Sequence, residues 1–462
     1  MVQVPKQIIK QLFSSCFIFY PQFTRFCLTC VGILKLEVLK RMTKVRFIHT
    51  ADLHLDTPFK GLSSWNADLS KKLKDATFKS FKNIIDLCIS KKVDFLIISG
   101  DIFDSENKSL AAQLKFVSEL KRFSDKGIAT YFTCGNHDPL KSWLNTIKLP
   151  ENVYRFDSSK GQFMTFKKGE DAIADIHGIS FYEKVVKENL AADYKLAPNP
   201  APISIAVLHG TVGIPGPHEN YAPFKTRDVV KKKFDYWALG HIHKKQVIHP
   251  SNPAIIYPGN PQGRDFGESG EKGCYLVEIS IGNDPVVEFI PTQLIRFEDL
   301  TIDMTGVDQI EFLQGKINEA LEQVDNYDEN VNYLLRITLN GRTGLHSSLN
   351  DQDQIEELVQ HYNDEQSDKQ YFTWIDKIYV NTQPDIDIEK IKSGVGFSSE
   401  ILKSFDTHLE DNKKLAELIK TVEEDFVNAQ ARKEIAEFTD EINRDIFEKA
   451  KMILLDKLTK QE

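Results

Sequence analysis

The sequence has little cysteine: six in 462 residues. Three of the six fall in the first 42 residues, and the set shows no regular spacing of the kind a disulfide framework or a four-thiolate zinc site needs. Cys88 and Cys134 sit in apolar helix or strand patterns and read as reduced core residues, which favours a reducing, cytoplasmic compartment. A long apolar run is also missing. The nearest approach, within residues 1–42, is broken by Pro21, Gln22 and Arg25 short of the roughly 20 residues a membrane span requires. No small-residue cleavage site follows it, so a secretory signal is not expected either. We expect this leader to be non-native or disordered, with the protein proper beginning at Met42.

Nor is there an excess of positive charge. The net charge of −9 argues against a nucleic-acid binder, but the average hides an asymmetry. From Thr301 to the end there are 35 acids and 18 bases, a net of −17, so the first 300 residues carry +8. Five of those positive charges belong to the leader, which leaves the middle of the chain near +3. Acidic character is a property of the C-terminal third.

What is present is an alternation of short apolar runs and helix-period segments, on a chain long enough for two or three domains. VRFIHT (45–50), VDFLIIS (93–99) and IATYFTC (128–134) read as strands, with amphipathic helices over 67–92 and 111–123 between them. This βαβαβ start implies parallel strands covered by helices. Further strands are expected at 175–182, 203–209, 235–241, 254–259, 274–280 and 286–290. The fold class is α/β, a two-layered sandwich of mixed sheets flanked by helices over 43–293. Residues 294–397 alternate helix and strand as a small α/β domain, and 398–462 form an almost continuous helical pattern, charged and free of proline and glycine.

The chemistry lies at the strand ends. Asp52 and His54 follow the first strand, and in an extended chain they would face the same side. His49 is still within that strand and is expected to be buried or capping, while Asp56 is expected to fix the TPF turn. The second strand runs into Gly100-Asp101, at the carboxyl end where ligands of open α/β sheets gather. The third runs into Gly135, Asn136, His137 and Asp138. His209 ends a later apolar run, and His241 and His243 follow Gly240 two apart. Each alone has an ordinary explanation as a turn, a cap or a surface histidine. Five clusters at five strand ends do not. Asp and His with one Asn, and no thiolate, suit Mn²⁺, Fe²⁺ or Zn²⁺. There are too many ligands for one ion, which points to a pair roughly 3.5–4 Å apart clamping a phosphoryl displacement.

The order D-x-H, GDIFD, GNHD, H, GHIH resembles the calcineurin-like metallophosphoesterases over about residues 45–290. HTADLHLDTPFKG, YPGNPQGRDFGESGEKG and the C-terminal extension are similar, more narrowly, to the DNA-repair exonucleases of the SbcD and YhaO type. The resemblance implies that Asp52, His54 and His243 hold a first metal, that Asp101 bridges, and that Asn136, His209 and His241 complete a second site. It makes His137 the catalytic residue, stabilising the phosphate or protonating the leaving oxygen, with Asp138 or Asp104 orienting it. Some double-strand-break nucleases carry a second histidine where this chain has Asp104, so a two-histidine acid mechanism is not implied.

The resemblance further implies a Mn²⁺-dependent phosphodiesterase acting on DNA, a cap formed by roughly 295–395, and a helical tail that docks on an SMC-like ATPase. A homodimer through helices beside the site, such as 67–92, is a further implication, although a core-facing helix would show the same pattern. No membrane partner is expected. A cyclic-nucleotide or other small-substrate phosphodiesterase or phosphatase is the alternative on the same fold. A non-catalytic binding subunit is disfavoured by intact residues at all seven ligand positions. His177, His218 and His249 are read as structural, and His346, His361 and His408 as surface groups. Arg264 and Phe59 are read as loop packing in preference to phosphate or base contacts.

Overall fold

A computed structural model gives the fold. It describes residues 44–57, 75–104, 109–142, 148–157, 160–213, 221–325, 330–366, 369–410 and 440–459, with four isolated positions between 414 and 421. The leader, Phe59, His218 and most of the 411–439 stretch lie outside the described residues.

The chain divides into two units, residues 1–297 with 330–332, and residues 298–329 with 333–462. The first is built on two six-stranded mixed sheets. One has the order β12-β11-β1-β2-β3-β4, from strands Lys44–Thr50 (β1), Phe95–Ser99 (β2), Ala129–Thr133 (β3), Val153–Arg155 (β4), Gly273–Ser280 (β11) and Val286–Pro291 (β12). The other has the order β5-β6-β7-β8-β10-β9, from Gln162–Lys168 (β5), Asp171–Ile179 (β6), Ile203–His209 (β7), Tyr236–Gly240 (β8), Gln246–His249 (β9) and Ala254–Tyr257 (β10). β1, β2 and β3 run parallel, as do β6, β7 and β8.

These central strands are apolar on both faces because both faces are covered. Val45, Phe47, Phe95, Ile97 and Tyr131 meet Ile176, Ile205, Val207, Tyr236 and Ile256 between the sheets. Phe47 stacks on Phe95 at 5.0 Å between ring centroids and meets Tyr236 edge-on at 5.4 Å, tying the layers together. On the outer face of the first sheet, helices Ala76–Lys91 (α1) and Leu110–Ser124 (α2) bury Phe81, Ile84, Ile85, Cys88, Phe116 and Leu120 against Ile48, Leu96 and Phe132. The helical spacing of these residues is what makes α1 amphipathic, and that apolar face is spent on the core. Ser109 caps α2 by accepting from the Ala112 amide at 3.1 Å.

Two details differ from the sequence reading. Among the described residues α1 starts at Ala76, and 58–74 lie outside them. Strands β4, β5 and β9, and the strand Ile295–Asp303, were not expected. They are short or lie at sheet edges, where residues such as Lys167 and Lys168 face solvent and blur the apolar alternation.

In the second unit, strands Ile295–Asp303 (β13), Asn332–Thr343 (β14) and Thr373–Pro384 (β15) form a three-stranded sheet with β14 and β15 parallel. Helices Ile310–Asp325 and Gln352–Asp364 accompany it. The Asn363 side chain brackets Ile375, accepting from its amide at 2.8 Å and donating to its carbonyl at 2.9 Å. Helices Phe397–Glu410 and Asp440–Thr459 pack through Phe405 and Phe447, 5.0 Å apart between ring centroids. Among the described residues no helix is long and apolar enough to cross a membrane.

Candidate metal centre

The carboxyl ends of β1, β2, β3, β7 and β8 converge, and the backbone there is unusual. Asp52, His54, Asp101 and His241 have φ of 52°, 43°, 49° and 103°, in a region that non-glycine residues enter at a cost of about 1–3 kcal/mol each. The extended-chain reason for Asp52 and His54 facing one way is therefore replaced. β1 ends at Thr50, and left-handed turns bring the two together. Neighbours hold the turns: the Asp52 amide donates to the Gly100 carbonyl and the His54 amide to the Asp101 carbonyl, both at 3.1 Å. The His241 amide donates to both oxygens of Asp52 at 3.0 Å. Gly135 lies so close that a β-carbon there would fall 2.2 Å from Asp101 Oδ1, so only glycine fits beside that carboxylate.

Asp52, His54 and His243 form one group of candidate ligands, with ligand atoms within 4.8 Å of one another. The Nε2 atoms of His54 and His243 are 3.0 Å apart. His243 Nδ1 donates to Glu268 Oε1 at 2.6 Å, which places that ring's proton on the far side. Asp104 Oδ1 stands 3.0 Å from His54 Nδ1, a close approach in which the buried nitrogen makes no hydrogen bond. The two Nε2 atoms point at the same spot, where a divalent ion would be held. Burial pushes His54 down to about 3, so it is neutral and competent to ligate. Burial pulls His243 down too, but its hydrogen bond to Glu268 leaves it raised. Burial lifts Asp52 to about 6, with His209 and His243 opposing.

Asp101, His209 and His241 form a second group. His209 Nδ1 donates to the Ser99 carbonyl at 2.9 Å, which leaves Nε2 facing Asn136 Oδ1 at 3.0 Å and Asp101 Oδ2 at 3.3 Å. Burial opposes the charge on His209, but Asp101 beside it holds it up at about 9. Burial likewise opposes the charge on Asp101, yet His209 keeps its carboxyl below the usual range. His241 Nε2 is buried without a hydrogen-bond partner, an open ligand atom. Asp101 Oδ2 is also 3.9 Å from His54 Nε2, so this carboxylate faces both groups.

His137 stands at the mouth, its side chain about a third exposed, in a cavity of about 610 Å³ shared with Asp101, Asn136, His241 and His243. Its amide donates to Asp101 Oδ1 at 2.9 Å. Its Nδ1 donates to the Asp104 backbone carbonyl at 2.7 Å, which frees Nε2 for proton exchange. Of the two expected partners, Asp104 thus takes the ring proton. The Asp138 carboxylate instead accepts from the amides of Gly135 and Ile102, at 3.0 and 3.1 Å.

His49 is buried between the sheets against Tyr236 OH at 3.0 Å and the Leu239 carbonyl at 3.1 Å, outside both groups. Asp56 accepts from the Ser109 amide at the start of α2, and Pro58 and Phe59 of the TPF turn it was expected to fix lie outside the described residues. His177 packs between Phe163 and Phe234. Arg264 corrects the sequence reading: it is no mere packing residue, because its guanidinium joins Asp104 and Glu268 beside His243. Glu268 was missed altogether. The mixture of glycines, acids and bases in GRDFGESGEKG was its only signal.

Fold and site together define a metal-dependent phosphoesterase. Residues 45–245 match the calcineurin-like phosphoesterase family, and residues 297–383 match the middle domain of metallophosphoesterase YhaO. An uncharacterised metallophosphoesterase, YhaO of Bacillus subtilis, is 32% identical over 413 residues, 89% of this chain and 98% of that protein. The DNA double-strand break repair protein Mre11 of Sulfurisphaera tokodaii is 27% identical over 300 residues, 62% of this chain and 72% of its own. Its counterpart in Sulfolobus acidocaldarius is 25% identical over 81% of this chain and 98% of its own. The chain belongs to the calcineurin-like metallophosphoesterases of the YhaO type.

Proposed function

We propose that this protein is a dinuclear phosphodiesterase that hydrolyses DNA, as an exonuclease or endonuclease of DNA repair, with Mn²⁺ as its metal. The observation that carries the reading is the position of Asp101, between a group of Asp52, His54 and His243 and a group of His209 and His241, with Asn136 beside it. When bound, a pair of divalent ions activates water and neutralises phosphate oxygens in an in-line displacement. The chain supplies the rest. Asp52, His54 and His243 would hold one ion and Asn136, His209 and His241 the other, with Asp101 shared between them. His137, fixed at Nδ1 by the Asp104 carbonyl, presents Nε2 to stabilise the phosphate or protonate the leaving oxygen.

DNA is favoured as substrate by the similarity to proteins named for double-strand break repair and by the long chain after residue 300. In this reading residues 294–397 cap the 43–293 nuclease domain. The 398–462 tail docks on an SMC-like ATPase that supplies the DNA affinity an acidic tail lacks, and the enzyme works in the cytoplasm. Purified protein with Mn²⁺, offered labelled linear DNA, a cyclic nucleotide and an aryl phosphodiester, tests it. DNA is cut and chelation stops the cutting. If DNA were spared and the cyclic nucleotide cut, the small-substrate alternative would hold, and failure to copurify with an ATPase would remove the partner.

A further inference from the structure

Five side chains from separated parts of the sequence close a loop around the first ligand group. Arg264 Nη1 donates to Asp104 Oδ1 at 2.8 Å, and Asp104 Oδ1 stands 3.0 Å from His54 Nδ1. On the other side Arg264 Nη2 donates to Glu268 Oε1 at 2.6 Å, and the same oxygen accepts from His243 Nδ1 at 2.6 Å. The loop closes where the two Nε2 atoms meet, 3.0 Å apart. We propose that Arg264 is the positioning residue of this group: one guanidinium sets the Glu268 carboxylate that orients His243 and holds the Asp104 carboxylate against His54, so that both imidazoles serve a single divalent ion.

The inference rests on the metal-centre reading and goes beyond it. A carboxylate behind a ligating imidazole fixes its tautomer and direction. Two such carboxylates a few ångströms apart repel each other and would swing away, and Arg264 removes that repulsion. Its alternative use, gripping a substrate phosphate, is opposed by its contacts. Nε, Nη1 and Nη2 all face carboxylates, its backbone amide also donates to Glu268 Oε2 at 2.9 Å, and its side chain is only 17% exposed. A planar fork suits the task; the single ammonium of lysine cannot hold two carboxylates in the same geometry.

The test is calorimetric titration of Mn²⁺ into metal-free wild type, Arg264→Met, Arg264→Lys and Glu268→Gln, each checked for folding by circular dichroism. Arg264→Met and Glu268→Gln should weaken one of two ions by about 10–100-fold and spare the other, with Arg264→Lys intermediate. If Arg264→Met does not fold, the other two variants carry the comparison. Wild-type affinity for both ions in the folded variants overturns the proposal, as does a rise in KM for a phosphodiester without a change in metal affinity. A wild type that binds two ions but cuts no DNA refutes the proposed substrate and leaves this inference standing.

Discussion

Gly240 and Ser99 touch end to end across the sandwich: a β-carbon at Gly240 would fall 1.8 Å from the Ser99 carbonyl oxygen. The contact brings the end of β8, which delivers His241 and His243, against the end of β2, which delivers Asp101. Gly240→Ala must push backbone from backbone. We expect a loss of about 1–3 kcal/mol in denaturant unfolding and weaker metal binding in calorimetry, because His241 and Asp101 move apart. Unchanged affinity would show that the two strand ends are not held in register by this contact.

His137 is held at Nδ1 by the Asp104 carbonyl, shares the cavity with the ligand groups and has a ring nitrogen within 4.8 Å of a His54 ligand atom. His137→Ala should lower the rate of phosphodiester cleavage by about 100–10,000-fold while the bound metal, measured by atomic emission, stays at two ions. Cleavage at the wild-type rate would remove it from the mechanism.

Asp101 faces both groups, so its loss should not be local. Asp101→Asn is expected to weaken both ions, whereas His241→Ala should weaken one. Manganese at about 100 times its dissociation constant should stabilise the wild type by about 2.7 kcal/mol. Thermal melts with and without chelator should show that gain shrinking in Asp101→Asn. An undiminished gain there would mean that Asp101 does not bridge.

His49 provides a pH test away from the ligands. Burial between the sheets pushes it from 6.5 down to about 3, against a smaller upward effect of the Leu239 carbonyl. As pH falls through 6.5 the unfolded chain takes up a proton that the folded chain refuses. His49's neutral burial is therefore fully tolerated above 6.5, and stability declines between 6.5 and 3 by up to about 1.4 kcal/mol per pH unit. Denaturant melts of His49→Gln between pH 6.5 and 4.5 should show a shallower decline than wild type. Parallel slopes would contradict the buried, neutral imidazole.

Much of the first unit was legible because its central strands are covered on both faces. Ile203–His209 is an almost wholly apolar, fully buried strand, and the strand reading and the observed span coincide. The grouping of Asp52, His54, His209, His241 and their neighbours was legible for the same reason: each polar residue follows a run that must end at one edge of a sheet. The edge strands β5 and β9 were not legible, since half-exposed strands carry mixed residues. Asp52 and His54 converge through left-handed turns that residue type alone does not announce. Arg264 was misread because its partner Asp104 is 160 residues away, a distance that no local pattern spans.

The central claim is that two ions, held by these groups, cut DNA. Metal-free protein given end-labelled linear duplex, with Mn²⁺ added stepwise, tests it most directly. The account predicts that cleavage appears as the second equivalent of ion per chain binds and is abolished in His137→Ala with both ions in place. Duplex left intact at saturating Mn²⁺, or cleavage complete at one ion per chain, would contradict it.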